Sequence, residues 1–282
     1  MAASVIVRLV RGAAPSMLGA STVLLLCFLL ALLVAGFAIL LHYLDRERSS
    51  LLSAMGLPLD RSGLRDSGLG VVFGLAMVSG CVGAVAMLGR FRLQAGPAHA
   101  GPIAAVVAMG LVAAMNEEMV FRGYPFQRLV ETIGAPGAVI FLACIFGAGH
   151  LYNPNATVWG ALNTVGFGVF MALAYLRTRA LWLPWGVHFA WNLGLGLGYG
   201  LTVSGLSQFS VVVHGTIAGP RWLTGGDYGI EASATATVML VVASVVLLTL
   251  VKPRPAPQTI VGEDKPPAIT PGPDQISLGG IQ

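Results

Sequence analysis

Charge is what this sequence has least of. Its 282 residues include 16 Lys and Arg and 12 Asp and Glu, so 10% are charged, where a soluble domain carries about 25%. That excludes an ordinary soluble globular protein. Cysteine is almost absent. Cys27, Cys81 and Cys144 lie in apolar runs without a CxxC pair, which excludes a disulfide framework and a cysteine zinc site. They read as small buried hydrophobes. The net charge of +4 comes mostly from arginines near the ends of apolar segments, and no basic cluster interleaves with aromatics. The expected partner is therefore the lipid bilayer, with no nucleic acid. No internal repeat and no second domain are visible.

What the chain has in abundance is long apolar runs. Hydrophobic residues make up 56% of it, with a mean hydropathy of +0.80. A helix crosses a bilayer in about 20 residues. The expected fold is all-α: a polytopic transmembrane helical bundle with a polar intramembrane cavity. Seven to eight spans are expected: seven over 17–41, 68–88, 103–130, 138–150, 157–176, 181–201 and 233–251, while 204–232 reads better as a loop with a re-entrant piece than as a full eighth span near 206–218. Residues 1–16 form a head and 17–251 the membrane domain. Residues 252–282, rich in Pro and Gly, read as a disordered tail. Residues 42–67 mix leucines with charge and read as an interfacial helix plus loop. Breaks are expected at Gly134-Ala135-Pro136-Gly137 and at Asn153-Pro154-Asn155. Orientation stays open. Arg8 and Arg11 favour a cytoplasmic N-terminus, but the loop at 42–66 holds Arg46, Arg48, Arg61 and Arg65 across the same span.

Against this background a few polar groups stand out. Leu93 to Asn116 contains no Asp, Glu, Lys or Arg, and no such charge follows Glu131 until Arg177. Between them lie Glu117, Glu118 and Arg122. A charge at mid-bilayer costs at least ~2.5–3.5 kcal/mol, so such groups mark function by default. Glu118 and Arg122 are four apart and share a helix face, where they are expected to pair. Glu117 is turned about 100° away, so its partner must come from another helix. His150 closes one apolar segment, and His188 and Asn192 share a face of another. Asn116, Asn163 and Gln127 read as interhelical hydrogen-bonders. His42, His99 and His214 read as interfacial.

Carboxylate, imidazole and amide suit hydrolysis: a glutamate as general base towards water, and imidazole and amide as donors to an oxyanion. Glu117, His150 and His188 could alternatively hold zinc with an open position. A proton-coupled transporter using Glu117 and Glu118 is a third reading, with the lack of an evident inverted repeat against it.

The motifs resemble those of one family. Glu117-Glu118-x-x-x-Arg122, Phe146-x-x-x-His150 and His188-x-x-x-Asn192 match, in order, the EExxxR, FxxxH and HxxxN motifs of the CAAX prenyl protease and bacteriocin-processing (CPBP, or ABI) family. They cover about residues 110–200, and Leu223 to Glu231 resembles a late loop of bacterial members. The resemblance implies an intramembrane endopeptidase in which Glu117 activates water and His150 positions it. Glu118 and Arg122 support that helix face, while His188 and Asn192 stabilise the oxyanion. Both a metalloendopeptidase mechanism and a metal-free one are argued for the family, so zinc stays open. The implied substrate is a peptide or a prenylated or membrane-anchored protein. The implied setting, with the Ala/Gly/Leu-heavy composition, is a multi-pass protein of a bacterial plasma (inner) membrane. A non-catalytic scaffold or bacteriocin-immunity protein of the same fold is the alternative.

Overall fold

The computed structural model describes residues 15–44, 51–96 and 100–255. Arg8, Arg11, Asp45, Arg46, Glu47, Arg48, His99 and the tail from 256 onward lie outside the described residues.

The chain is mostly helical. The long helices are α1 (Pro15–Leu44), α3 (Arg61–Met87), α4 (Ala100–Arg122), α5 (Tyr124–His150) and α6 (Val158–Thr178); α7 (Trp182–Leu193) and α9 (Ala234–Leu250) are shorter. Single-turn helices α2 (Leu51–Ala54) and α8 (Arg221–Thr224) lie in connections. Helix starts follow local chemistry. Asp60 Oδ1 accepts from Gly63 N at 2.9 Å, Thr157 Oγ1 from Gly160 N at 3.0 Å, and Ser233 Oγ from Ala236 N at 3.2 Å. Each satisfies a backbone donor that the first turn leaves open.

Among the described residues, four apolar stretches are long enough to cross a membrane: Ser21–Tyr43, Arg61–Met87, Pro102–His150 and Val158–Thr178. The third runs 49 residues, and the backbone breaks it at Gly123 into α4 and α5. The expected helix to residue 130 therefore ends at Arg122, where Pro125 in the next first turn cannot continue a hydrogen-bond ladder. The break expected at residues 134–137 is a kink within α5, centred on Gly134 at φ 77°. An eighth span near 206–218 is not formed. Val213–Ile217 is instead strand β2, antiparallel to β1 (Phe91–Ala95), with Leu93 opposite Gly215. The all-α expectation thus missed one small sheet. The expected span at 181–201 is α7 followed by a π-helical turn, Gly194–Gly198.

Two further expectations change. Of the cysteines only Cys81 is buried, while Cys27 and Cys144 are on the outside of their helices. Arg254, within the stretch expected as tail, has a guanidinium that makes bonds of 2.7 and 2.8 Å to the buried Asp66 carboxylate. That pins the end of α9 to the start of α3.

Glycines set the closest helix contact. A Cβ at Gly70 would lie 2.4 Å from Leu183 O, one at Gly74 2.5 Å from Val187 O, and one at Gly186 2.5 Å from Ser67 O. Small residues four apart let backbones meet in this way. The contact fixes α7, and with it His188, against α3.

Candidate active site

The last turn of α4 supplies the charged groups. Glu118 is fully buried. Its Oε1 accepts from Arg122 Nη1 at 3.2 Å and is 2.8 Å from His188 Nδ1 on α7. A carboxylate only accepts, so His188 carries its proton on Nδ1. Arg122 also donates to Gly168 O on α6 at 3.2 Å, and its guanidinium lies 4.8 Å from the Phe146 ring centre on α5. One helix turn thereby ties α4 to α5, α6 and α7. Asn116 holds α4 to α1, its Nδ2 donating to Leu26 O at 3.1 Å.

Glu117, rotated away from that pair, lines a cavity. Its Oε2 is 3.8 Å from His188 Nε2 on α7. His150 lines the same cavity. Its Nδ1 is 2.8 Å from Phe146 O, and a carbonyl can only accept, so the neutral ring keeps Nε2 as an acceptor. Phe146 and Phe167 wall His188 edge-on at 6.4 and 5.6 Å between ring centres. Asn192, half-buried, lines the cavity four residues after His188. The cavity encloses about 70 Å³, room for several waters, since one needs about 10–15 Å³. All six predicted residues are thus brought together: Glu117, His150, His188 and Asn192 on the wall, with Glu118 and Arg122 buried behind it.

The zinc set does not form. Among the described residues no three His, Cys, Asp or Glu side chains are disposed to hold a metal ion. Nδ1 of His188 faces Glu118 and Nδ1 of His150 faces its own helix, which leaves Nε2 of each ring for the cavity.

Glu231 is a cavity residue that sequence reasoning did not assign. It sits in the 3-10 turn Ile230–Ala232 ahead of α9. Its Oε1 accepts from Trp191 Nε1 at 2.9 Å, and its Oε2 accepts from Ser204 N and from Ser204 Oγ. Burial pushes its carboxyl above the usual carboxylate range, and the Trp191 and Ser204 donors oppose that rise. The local signals were an acid just ahead of an apolar helix and its place at the end of the Leu223–Glu231 loop. Asn163, expected as an interhelical hydrogen-bonder, carries this turn: its Nδ2 donates to Glu231 O at 2.8 Å and Ser233 O at 2.9 Å. Gln127 donates to Ala54 O at 3.1 Å.

Fold and site together define an integral membrane protein with a polar cavity of carboxylate, imidazole and amide groups inside an apolar helical bundle. Residues 99–194 match the family described as type II CAAX prenyl endopeptidase Rce1-like. The match spans about a third of the chain and includes all three motifs, so that segment is similar to a family of proteases. No curated protein and no solved structure matches the chain.

Proposed function

We propose that the protein is an intramembrane endopeptidase that uses a glutamate-activated water and no metal. The observation that carries this reading is Glu117 on the cavity wall beside His188, with Glu118 and Arg122 paired behind it. Glu117 takes a proton from a cavity water, and the water oxygen attacks the carbonyl carbon of the substrate. His150, with Nδ1 committed to Phe146 O, offers Nε2 to the same water. The charge that develops on the carbonyl oxygen is met by the Asn192 amide and by His188. His188, held by Glu118 through Nδ1, presents Nε2 on the side of Glu117. The C–N bond then breaks, and the proton held by Glu117 passes to the leaving amine. Glu118 and Arg122 touch no substrate; they hold the helices.

The substrate is a peptide segment of a membrane-anchored or prenylated protein, cut near the membrane surface. The setting is a bacterial plasma membrane. The test is cleavage of a panel of membrane-anchored and prenylated peptides by the purified protein in detergent. Glu117→Ala should abolish cleavage while insertion and folding persist, and a zinc chelator should leave wild-type cleavage unchanged. Normal processing by Glu117→Ala sinks the mechanism, and loss of activity to the chelator alone restores the zinc reading.

A further inference from the structure

Above the cavity the chain makes a turn in an uncommon conformation. Ser204 has φ 49° and Gly205 φ 81°, and positive φ is uncommon for a residue other than glycine. Glycine suits the second position, where an added Cβ would lie 2.0 Å from Pro154 O. Serine at the first must be held by its surroundings.

Three restraints hold it. Asn153, three residues after His150, donates from Nδ2 to Ser204 O at 3.0 Å. Gly205 N donates to Tyr228 O at 2.9 Å. Glu231 takes both the Ser204 backbone N–H and its hydroxyl. The other oxygen of Glu231 takes Trp191 Nε1, and Trp191 lies between His188 and Asn192 on α7. One carboxylate thus joins the turn to the helix that carries two of the site residues. Ser204, Glu231, Trp191 and Asn192 all line the cavity with Glu117.

We propose that Glu231 is a positioning residue: its carboxylate clamps the Ser204 turn to Trp191 and so sets the cavity wall against which the scissile segment lies. This rests on the proteolytic reading for its effect on rate but not for the clamp itself. Both oxygens of Glu231 face donors. A glutamine there turns an NH₂ group towards one of them, and either Trp191 or the turn is released. The strain at Ser204 makes a specific demand. If the clamp holds a turn that serine alone disfavours, Ser204→Gly removes the conformational cost and relieves the need for the clamp.

The experiment compares wild type, Glu231→Gln, Glu231→Asp, Ser204→Gly and the double variant Glu231→Gln/Ser204→Gly in detergent. The readouts are hydrogen exchange over residues 199–210 and peptide cleavage. Glu231→Gln should raise exchange there and lower kcat roughly tenfold to a hundredfold, the scale of an ångström of misplacement, with a smaller change in KM. Glu231→Asp, which keeps both acceptors, should lose less. The double variant should recover part of the protection and of the rate. Unchanged exchange in Glu231→Gln overturns the clamp, whether or not peptides are cut. Raised exchange with wild-type kcat overturns its effect on the reaction. A double variant no better than Glu231→Gln overturns the account through the strained turn. If no peptide is cut by wild type, the proteolytic reading fails, and exchange alone decides the clamp.

Discussion

The α3–α7 contact offers a sharp test, because it separates close backbone approach from mere proximity. Ordinary contact for a Cβ begins at 3.4 Å, and the Cβ of Gly70→Ala would lie 2.4 Å from Leu183 O, with Gly186 Cα and Val187 N at 3.0 Å. All three are backbone atoms, so no rotamer change relieves the overlap, and α3 and α7 must part by about 1 Å. Gly74→Ala meets Val187 O at 2.5 Å and the Ala190 Cβ at 2.9 Å, so the two substitutions act on one seam. Overpacking of this kind costs about 1–3 kcal/mol, against a gain of about 0.5–1 kcal/mol from replacing a helical glycine by alanine. The same helix supplies its own control. Gly68 and Gly83 have nothing within 4 Å of an added Cβ, so Gly68→Ala and Gly83→Ala keep the gain without the clash. Thermal unfolding in detergent should rank Gly68→Ala and Gly83→Ala at or above wild type and Gly70→Ala and Gly74→Ala below it. Because α7 carries His188 and Asn192, a shift of that size should also cost on the order of a hundredfold in peptide cleavage. Equal stability of Gly70→Ala and Gly83→Ala would refute the reasoning.

Other predictions follow from single contacts. Arg254→Ala leaves the buried Asp66 carboxylate without its bidentate partner and should lower stability by roughly 2–4 kcal/mol; Asp66→Asn/Arg254→Ala should recover part of that loss in the same unfolding assay. At the exposed N-cap, the Ser62 hydroxyl and the Gly63 N–H hold the Asp60 carboxyl below its usual value. A depressed folded value stabilises above the unfolded pKa of about 3.9 and is lost as pH falls through the folded one. Hydrogen exchange in the first turn of α3 should therefore rise in acid, and Asp60→Ser should remove that dependence. The cavity lining holds Glu117 and Glu231 and no Lys or Arg, so peptides with Asp or Glu beside the cut bond should be cleaved more slowly than those with Ala or Lys there.

Much of this was legible because the membrane makes polar groups rare. Isolation in apolar segments drew attention to Glu117, Glu118, Arg122, His150, His188 and Asn192, together with Asn116, Asn163 and Gln127. The pairing of Glu118 with Arg122 and the turning of Glu117 to another helix follow from helical spacing. What escaped depended on tertiary neighbours. Val211-Val212-Val213 is apolar enough to suggest a span, yet β2 forms there because β1 lies alongside. The apolar run through Gly123 gives no periodic sign of a break, since both halves are equally hydrophobic. Glu231 is 40 residues from Trp191 and 27 from Ser204, and no local pattern links them. Zinc stayed open for the same reason: spacing within a helix says nothing about whether ligands from three helices converge.

The adjacent glutamates divide their work by geometry. Glu118 points into the bundle, where Arg122 and His188 meet the same oxygen. A buried ion pair adds little net stability, because desolvation offsets its attraction. What it supplies is a fixed arrangement, since Arg122 reaches α5 and α6 while His188 belongs to α7, the helix that packs on α3 through the glycine seam. Glu117, one residue earlier, is left facing the cavity on a helix that its neighbour has already secured. Glu118→Gln should therefore differ from Glu117→Gln in kind. It keeps one acceptor oxygen but weakens the hold on both Arg122 and His188, so it should lower thermal stability as well as activity. Glu117→Gln should remove activity at near wild-type stability. If the two variants lose stability equally, this division between a structural and a reacting carboxylate is wrong.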